Sequence, residues 1–376
     1  MKVLILTNDC TGLIKFRREL IERLIEEDYK VQVSVPEGIF IEEIKSIGCK
    51  VALNCYLERR GTSIKKDWKL IRYYVRLLKR EKPDIVLTYT IKPNAYGGIA
   101  CSLLGIPYIA NITGLGTSIK NKGSLRFVAL LLYRIGLKKA AKVFFQNREN
   151  QEYMDKKHIV TKKQSDIIPG SGVNIDKHCY EPYPKAKFPV VFTTVGRIMK
   201  DKGIHEILEA AEKTKKKYPD TVFRLIGDFD ENYGETIQKY ERKNIITYIP
   251  QQPDIHPYIA ESHAIIHASY HEGMSNVLLE AAATGRPVIA TDVHGCIEAF
   301  EPEVTGIAFQ AGDALGLSIA IEKFLAMSNG EREAMGKAGR EKMEKEFNRD
   351  IVVGKYMAEI ERILKKGRHY HNYNEQ

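Results

Sequence analysis

The chain has 376 residues, 44% hydrophobic and 28% charged, with a net charge of +10; that is a globular composition, too long for one ordinary core, and suggests two domains. No run approaches 18 uncharged apolar residues, which excludes a transmembrane helix, and "MKVLILTNDC" reads as a strand without a cleavage site rather than as a signal peptide. Six scattered cysteines (Cys10, Cys49, Cys55, Cys101, Cys179, Cys296) form no CxxC and imply reduced thiols in a cytoplasm, with neither a disulfide nor a zinc site.

Along the chain, short β-branched runs alternate with amphipathic stretches. The runs are "KVLILT" (2–7), "KVQVSV" (30–35), "KVALNC" (50–55), "DIVLTY" (84–89), "YIANIT" (108–113) and "KVFFQN" (142–147), with helical patterns such as 13–27 and 64–80 between them. Continuous apolar strands separated by helices predict a parallel sheet covered on both faces. The Pro- and Gly-rich stretch 169–189 reads as a linker. The rhythm then restarts with "VVFTTV" (190–195), "TVFRLI" (221–226), "NIITYI" (244–249), "AIIHAS" (264–269), "PVIATD" (287–292) and "GIAFQ" (306–310). The fold class is therefore α/β with two doubly wound domains, 1–170 and 190–349, joined by a linker at 171–189. A helix over 350–366 is expected to cross back to the first domain, and the polar end 367–376 to be a disordered tail. Ligands of such sheets bind beyond the carboxyl ends of the strands, so two facing domains place the site in a cleft.

The loop after "AIIHAS" carries "HEGMSNVLLE", with Glu272 and Glu280 eight positions apart. A helix starting near Ser275 and ending before Gly285 would point its first free N–H groups, from Gly273 through Met274 and Ser275 to Asn276, at an anion such as a pyrophosphate. Gly273 lacks a Cβ and permits close approach. The flanking carboxylates suit sugar hydroxyls, so one phosphate site between two polyol sites describes a nucleotide-sugar. Alone, this spacing is equally that of an ordinary helix with an acid near its N-terminus. It is joined by "VGRIMKDKG" (195–203), where Gly196 and Arg197 end a strand and Lys202 precedes the next helix. Two cations there suit a diphosphate leaving group.

These motifs resemble the retaining GT-B glycosyltransferases with an E-x7-E motif, family 4. The resemblance runs through "TNDCTGLIKFRREL", "GRIMKDKG", "SYHEGMSNVLLEAAATGRPVIATD" and "GCIEAF". "NITGLGTS" (111–118) and "DVHGCIEAF" (292–300) are similar to bacterial members that extend undecaprenyl-diphosphate-linked sugars for capsule, O-antigen or N-glycan precursors. The resemblance implies that Arg197 and Lys202 hold the donor diphosphate, that Glu280 binds the ribose and that Glu272 lies at the donor sugar. It further implies close approach at Gly12, the base flanked by Asp228, Phe229 and Gln251, and an acceptor side formed by Asn8, Asp9, Thr113 and Gly114. Where many members carry a histidine in the first-domain loop, this chain has Thr113. The implied chemistry is front-side displacement, in which the leaving diphosphate takes the acceptor proton.

"DFD" (228–230) has the form of a metal-binding DxD, but aspartates are frequent enough here to give it by chance. Cations and a helix terminus suffice for the diphosphate, so no metal and no cofactor are expected. His263, His267 and His271 have helical metal spacing on an apparent strand, where positions four apart lie roughly 13 Å from each other, so they read as structural. "TGLGTS" lacks the glycines of a dinucleotide fingerprint.

Charge is uneven: residues 1–189 hold 34 Lys+Arg against 19 Asp+Glu, a net of +15, and the remainder nets −5. In 64–80 an apolar stripe of Ile64, Trp68, Ile71, Val75 and Leu78 is flanked by Lys65, Lys69, Arg72, Arg76 and Lys79, and 124–142 is apolar and cationic without an acid. An anionic leaflet attracts such faces, and no nucleic-acid module is visible. The expectation is a UDP-sugar-dependent transferase, cytoplasmic and peripheral to the inner face of the plasma membrane, acting on a lipid-linked saccharide. The alternatives are a non-hydrolysing sugar-nucleotide epimerase and a non-catalytic sugar-nucleotide-binding scaffold.

Overall fold

Seven parallel strands make the first sheet of the computed structural model, which describes residues 1–57, 64–115, 124–185 and 189–373. They are β1 (Lys2–Leu6), β2 (Lys30–Val35), β3 (Lys50–Leu53), β4 (Ile85–Tyr89), β5 (Tyr108–Ile112), β6 (Lys142–Phe145) and β7 (Ser165–Ile167), in the order β3-β2-β1-β4-β5-β6-β7. The central strands β4 and β5 are buried at every residue, which is why they read as unbroken apolar runs rather than alternating ones. β7 was not foreseen, because three residues with a serine and an aspartate carry no periodic signal.

The second sheet is also parallel: β8 (Val191–Val195), β9 (Val222–Ile226), β10 (Thr247–Ile249), β11 (Ala264–His267), β12 (Val288–Thr291) and β13 (Gly306–Phe309), in the order β10-β9-β8-β11-β12-β13. Every run read as a strand is one. Both sheets reverse their winding beside the first strand, at β1/β4 and at β8/β11, and such switch points open crevices at the carboxyl ends.

The chain divides into Met1–Ser171 with Asp350–Gln376, and Gly172–Arg349. In the first unit, Val352, Tyr356, Ile360 and Ile363 of the helix Arg349–Tyr373 pack with Val3, Ile5, Val31 and Val33 of β1 and β2. The Tyr356 hydroxyl accepts from Asn111 Nδ2 at 2.6 Å. This helix runs to Tyr373, through most of the stretch expected as a tail; residues 374–376 lie outside the described ones.

Two further expectations need correction. Much of the stretch read as a linker is built into the second unit: Val173 is buried, and its N–H donates to Phe347 O at 2.8 Å. Tyr183, also buried, donates its hydroxyl to His263 O. On the helix Ile64–Glu81, the buried face is Leu70, Tyr74, Leu77, Leu78 and Glu81, with Ile71 and Val75 half-buried against the same core; of the expected stripe it is Trp68 that departs, at 64% exposed. At 100° per residue Trp68 falls on the side of Lys65, Arg72, Arg76 and Lys79, so the tryptophan rides with the cations instead of with the core.

Candidate functional site

The loops after β8 and β11 meet at the second sheet's switch point. Gly203 makes this possible. It adopts φ +67°, and a Cβ there would sit 2.2 Å from Ala268 O, so only glycine lets the turn Lys200–Lys202 approach the β11 loop. Tyr270 N–H stitches the two loops by donating to Asp201 O at 2.9 Å.

From that turn the Lys202 ammonium donates to Glu272 Oε1 and lies 3.5 Å from Ser269 Oγ. His267, the last residue of β11, brings Nε2 to 3.0 Å from the same carboxylate oxygen and 3.1 Å from Ser275 Oγ. Burial pushes the Glu272 carboxyl up, but the Lys202 charge and the His267 contact outweigh it and hold the group far below the usual carboxylate range. Glu272 is therefore an anion with a cation already beside it. Behind it, Gly295 (φ +84°) packs its backbone against Glu272 O, and Gly295 O accepts from Ser275 N at 2.7 Å.

The helix that follows spans Asn276–Ala283, with Ser275 at its N-cap. Ser275 has turned its hydroxyl to His267 and does not use it to cap this helix start. The expected run of free N–H groups is shorter than Gly273–Asn276, because the Ser275 N–H is taken by Gly295 O; the N–H groups that open the helix Asn276–Ala283 keep the anion-attracting character of a helix terminus. Met274 and Ser275 are buried, whereas Gly273 and Asn276 are half-buried. Glu280, about one and a half turns from Ser275, has Oε1 3.8 Å from His178 Nε2. Burial, reinforced by neighbouring His256, pushes His178 down to about 3, so the imidazole facing Glu280 is neutral at pH 7.

After β8, the Gly196 and 228–230 loops zip together. Gly196 N–H donates to Ile226 O at 2.9 Å, and Ile198 N–H to Asp228 O at 2.8 Å. Arg197 is exposed and pairs with Asp230 Oδ2 at 2.6 Å, while Asp228 Oδ1 accepts from Gln251 N–H at 3.3 Å. Both acids of "DFD" are thus occupied in holding loops. Phe229 lies against Tyr248 at 5.0 Å between ring centroids and stays 44% exposed, a surface on which a planar ring could stack.

In the first unit, Asn8 and Asp9 follow β1, and Thr113 and Gly114 follow β5. Two expectations shift here. The first helix starts at Cys10, so Gly12 lies in its first turn rather than in a loop; Asp9 is the N-cap, accepting from Thr11 N–H and Gly12 N–H at 3.0 Å each. Residues 116–118 of "NITGLGTS" lie outside the described residues. Sequence reasoning missed His267 as a partner of Glu272. The available signal was a histidine ending a wholly apolar strand five residues before the glutamate, and the helical spacing of three histidines drew attention elsewhere. His263 is structural: its Nδ1 accepts from Val191 N–H at 3.1 Å.

Comparison with known proteins bears on the family and the fold. The family "Glycosyl transferases group 1" matches residues 181–342, and "Glycosyl transferase 4-like" matches residues 2–147. The N,N'-diacetylbacillosaminyl-diphospho-undecaprenol alpha-1,3-N-acetylgalactosaminyltransferase of Campylobacter jejuni is 25% identical, covering 97% of this chain and 100% of its own. The UDP-Gal:alpha-D-GlcNAc-diphosphoundecaprenol alpha-1,3-galactosyltransferase of Escherichia coli is 27% identical over 68% of this chain and 69% of its own. A glycosyltransferase from Rickettsia africae superimposes with a TM-score of 0.80 at 18% identity, over 97% of this chain and 98% of that one. Anabaena Alr3699/HepE, solved with UDP and glucose, gives 0.77 at 17% identity, over 96% and 99%. With two Rossmann-like sheets of the GT-B kind and family matches across both halves, the chain belongs to the group 1, family 4-like glycosyltransferases.

Proposed function

We propose that this glycosyltransferase moves a hexose or N-acetylhexosamine (GalNAc, Gal or GlcNAc) from a UDP-sugar, with retention, to a polyprenyl-diphosphate-linked saccharide in bacterial surface-glycan synthesis. The observation that carries the reading is the Lys202–Glu272–His267 cluster beside the start of the helix Asn276–Ala283. A diphosphate brought there meets a lysine, backbone N–H groups and, from the same loop as the lysine, Arg197. These groups stabilise the charge that develops as the sugar–phosphate bond breaks. On this reading Glu272, held by His267, accepts from donor-sugar hydroxyls, and Glu280 from the ribose. Phe229 and Gln251 border the base, with Asp228 holding the Gln251 backbone. The acceptor hydroxyl gives its proton to the departing diphosphate, and Asn8, Thr113 and Gly114 lie on the acceptor side.

The relatives whose names specify diphospho-undecaprenol acceptors support a lipid-linked acceptor. Support for a peripheral position at the inner face of the plasma membrane comes from the first unit. Trp68 stands among cations, and the helix Ser124–Leu137 exposes Phe127, Val128, Leu131 and Ile135 along one side with Arg134 beside them. No described helix is long and apolar enough to cross a membrane. Cations and a helix terminus meet the diphosphate, so donor chemistry without a divalent ion is part of this reading. Turnover should therefore persist in EDTA and gain nothing from Mn²⁺.

The test is a UDP-sugar panel with and without a polyprenyl-diphosphate saccharide. UDP release that requires the acceptor, with an axial anomeric linkage in the product by NMR, is expected. Isomerisation of a UDP-sugar without acceptor would identify an epimerase, and UDP binding without any turnover a scaffold.

A further inference from the structure

Outside the Lys202–Glu272–His267 cluster, three side chains of the second unit converge on one point. Cys179 Sγ lies 3.7 Å from His256 Nε2 and 3.5 Å from Glu181 Oε1, and His256 Nε2 lies 3.5 Å from Glu181 Oε1. Zinc bonds of about 2.3 Å to sulfur and about 2.0–2.1 Å to nitrogen or oxygen, held at tetrahedral angles, separate the ligand atoms by about 3.3–3.6 Å. The observed triangle has the size of one face of that tetrahedron. Among the described residues, no other three Cys, His, Asp or Glu side chains are gathered this way.

The histidine's tautomer is set for the task. Thr284 donates its hydroxyl proton to Glu280 O at 2.8 Å, so its oxygen is left to accept from His256 Nδ1–H at 3.4 Å. Nε2 then carries the lone pair and faces the thiol and the carboxylate, the arrangement by which metal-ligating imidazoles are oriented. Both backbone segments are also held by a single side chain. The buried Arg286 guanidinium donates to Glu181 O at 2.9 Å, to Pro182 O at 2.8 Å and to Ala260 O at 2.7 Å, and Ala260 closes the short helix that His256 begins. A thiol, a carboxylate and an imidazole on clamped backbone make a preorganised ligand set.

We propose that Cys179, Glu181 and His256 bind a zinc-type divalent ion, with the fourth position left to water. Binding takes Cys179 as its thiolate and releases the thiol proton to solvent. The ion ties the segment entering the second unit to the helix His256–Ala260. Through Thr284 it abuts the C-terminal end of the helix that carries Glu280. The ligands come from positions 179, 181 and 256, too far apart for any sequence pattern, which is why the cysteine spacing pointed to no zinc site.

The experiment titrates metal-free, full-length protein with Co²⁺. One equivalent should give the intense visible bands of a tetrahedral site and a near-ultraviolet thiolate-to-cobalt charge-transfer band, both removed by one equivalent of Zn²⁺. Cys179→Ser should abolish the charge-transfer band, and adding Glu181→Gln and His256→Ala should abolish binding. Zn²⁺ should raise the Tm of the wild type and leave that of the triple variant unchanged. If the triple variant fails to fold, the single Cys179→Ser comparison decides alone, since it exchanges one atom of an exposed side chain. No charge-transfer band in the wild type, or a band that survives Cys179→Ser, would overturn the assignment. None of these readouts uses glycosyl transfer, so they stand or fall separately from the donor and acceptor reading.

Discussion

Lys202 and Glu272, seventy positions apart in the chain, meet as an ion pair at the switch point of the second sheet. The pair leaves the ligand-free site neutral there, and a bound diphosphate has to share the lysine with the carboxylate. Lys202→Ala should therefore lower kcat by on the order of 10²-fold, because its charge acts mainly on the leaving group. It should also lower Tm, since Glu272 is left partly buried without its cation. Arg197→Ala should show a similar kinetic loss with little change in Tm, because that side chain is exposed. Steady-state kinetics and thermal melts on both variants separate these outcomes; normal turnover in both would remove the diphosphate assignment.

The two glutamates should divide binding and turnover between them. Glu280→Ala should weaken UDP binding measured by calorimetry, whereas Glu272→Ala should retain UDP affinity and lose turnover. His267→Ala should resemble Glu272→Ala in milder form, a loss between roughly tenfold and 10²-fold in kcat, because it releases the carboxylate from its position without removing it. Equal loss of UDP affinity in the two glutamate variants would show the roles to be misassigned.

Binding to membranes should be electrostatic. Co-sedimentation with anionic vesicles is expected at low salt and should fall as the Debye length shrinks from about 10 Å at 0.1 M to about 3 Å at 1 M. Replacing Lys65, Lys69, Arg72 and Arg76 with Gln should weaken it while leaving UDP binding intact. Trp68→Ser should reduce the salt-resistant remainder. Equal binding to neutral and anionic vesicles, or none to either, would return these faces to ordinary solvated surface.

Acid should destabilise the first unit through Glu81. The Lys2 ammonium at 2.6 Å, aided by Arg80, outweighs burial and holds this carboxyl at about 2 against an ordinary 4.5. A folded value below the unfolded one means that the stabilisation is complete above the ordinary range and is lost as pH falls from there towards about 2. Urea unfolding of the wild type should weaken across that window. Glu81→Gln should be less stable at pH 7 and show a shallower decline, and parallel declines would place the acid sensitivity elsewhere.

The strands were legible because doubly covered parallel strands are apolar along their whole length, as β4 and β5 are. The site was legible where a residue type answers a backbone need, as with Gly273 and Ser275 at a helix start; the left-handed turn at Gly203 was not. Side-chain partnerships were not. Nothing in the spacing says that Ser275 gives its hydroxyl to His267 rather than to the helix end, or that Arg197 rests on Asp230. On the helix Ile64–Glu81 the stripe held for Ile71, Val75 and Leu78, which pack on the core, and failed for Trp68, because the face that Tyr74 and Leu77 centre is decided only once the neighbouring core is known.

The helix Arg349–Tyr373 has a consequence for synthesis. The apolar side of β1 and β2 that it covers emerges from the ribosome before Gly172–Arg349, and its cover only after the whole of that segment. At about 5–20 residues per second, that gap is on the order of fifteen to sixty seconds. During it, Val3, Ile5, Val31 and Val33 lack their final partners. The nascent first unit should therefore be a chaperone client for that interval, and chains stalled before Asp350 should be found bound to chaperones, whereas complete chains are released.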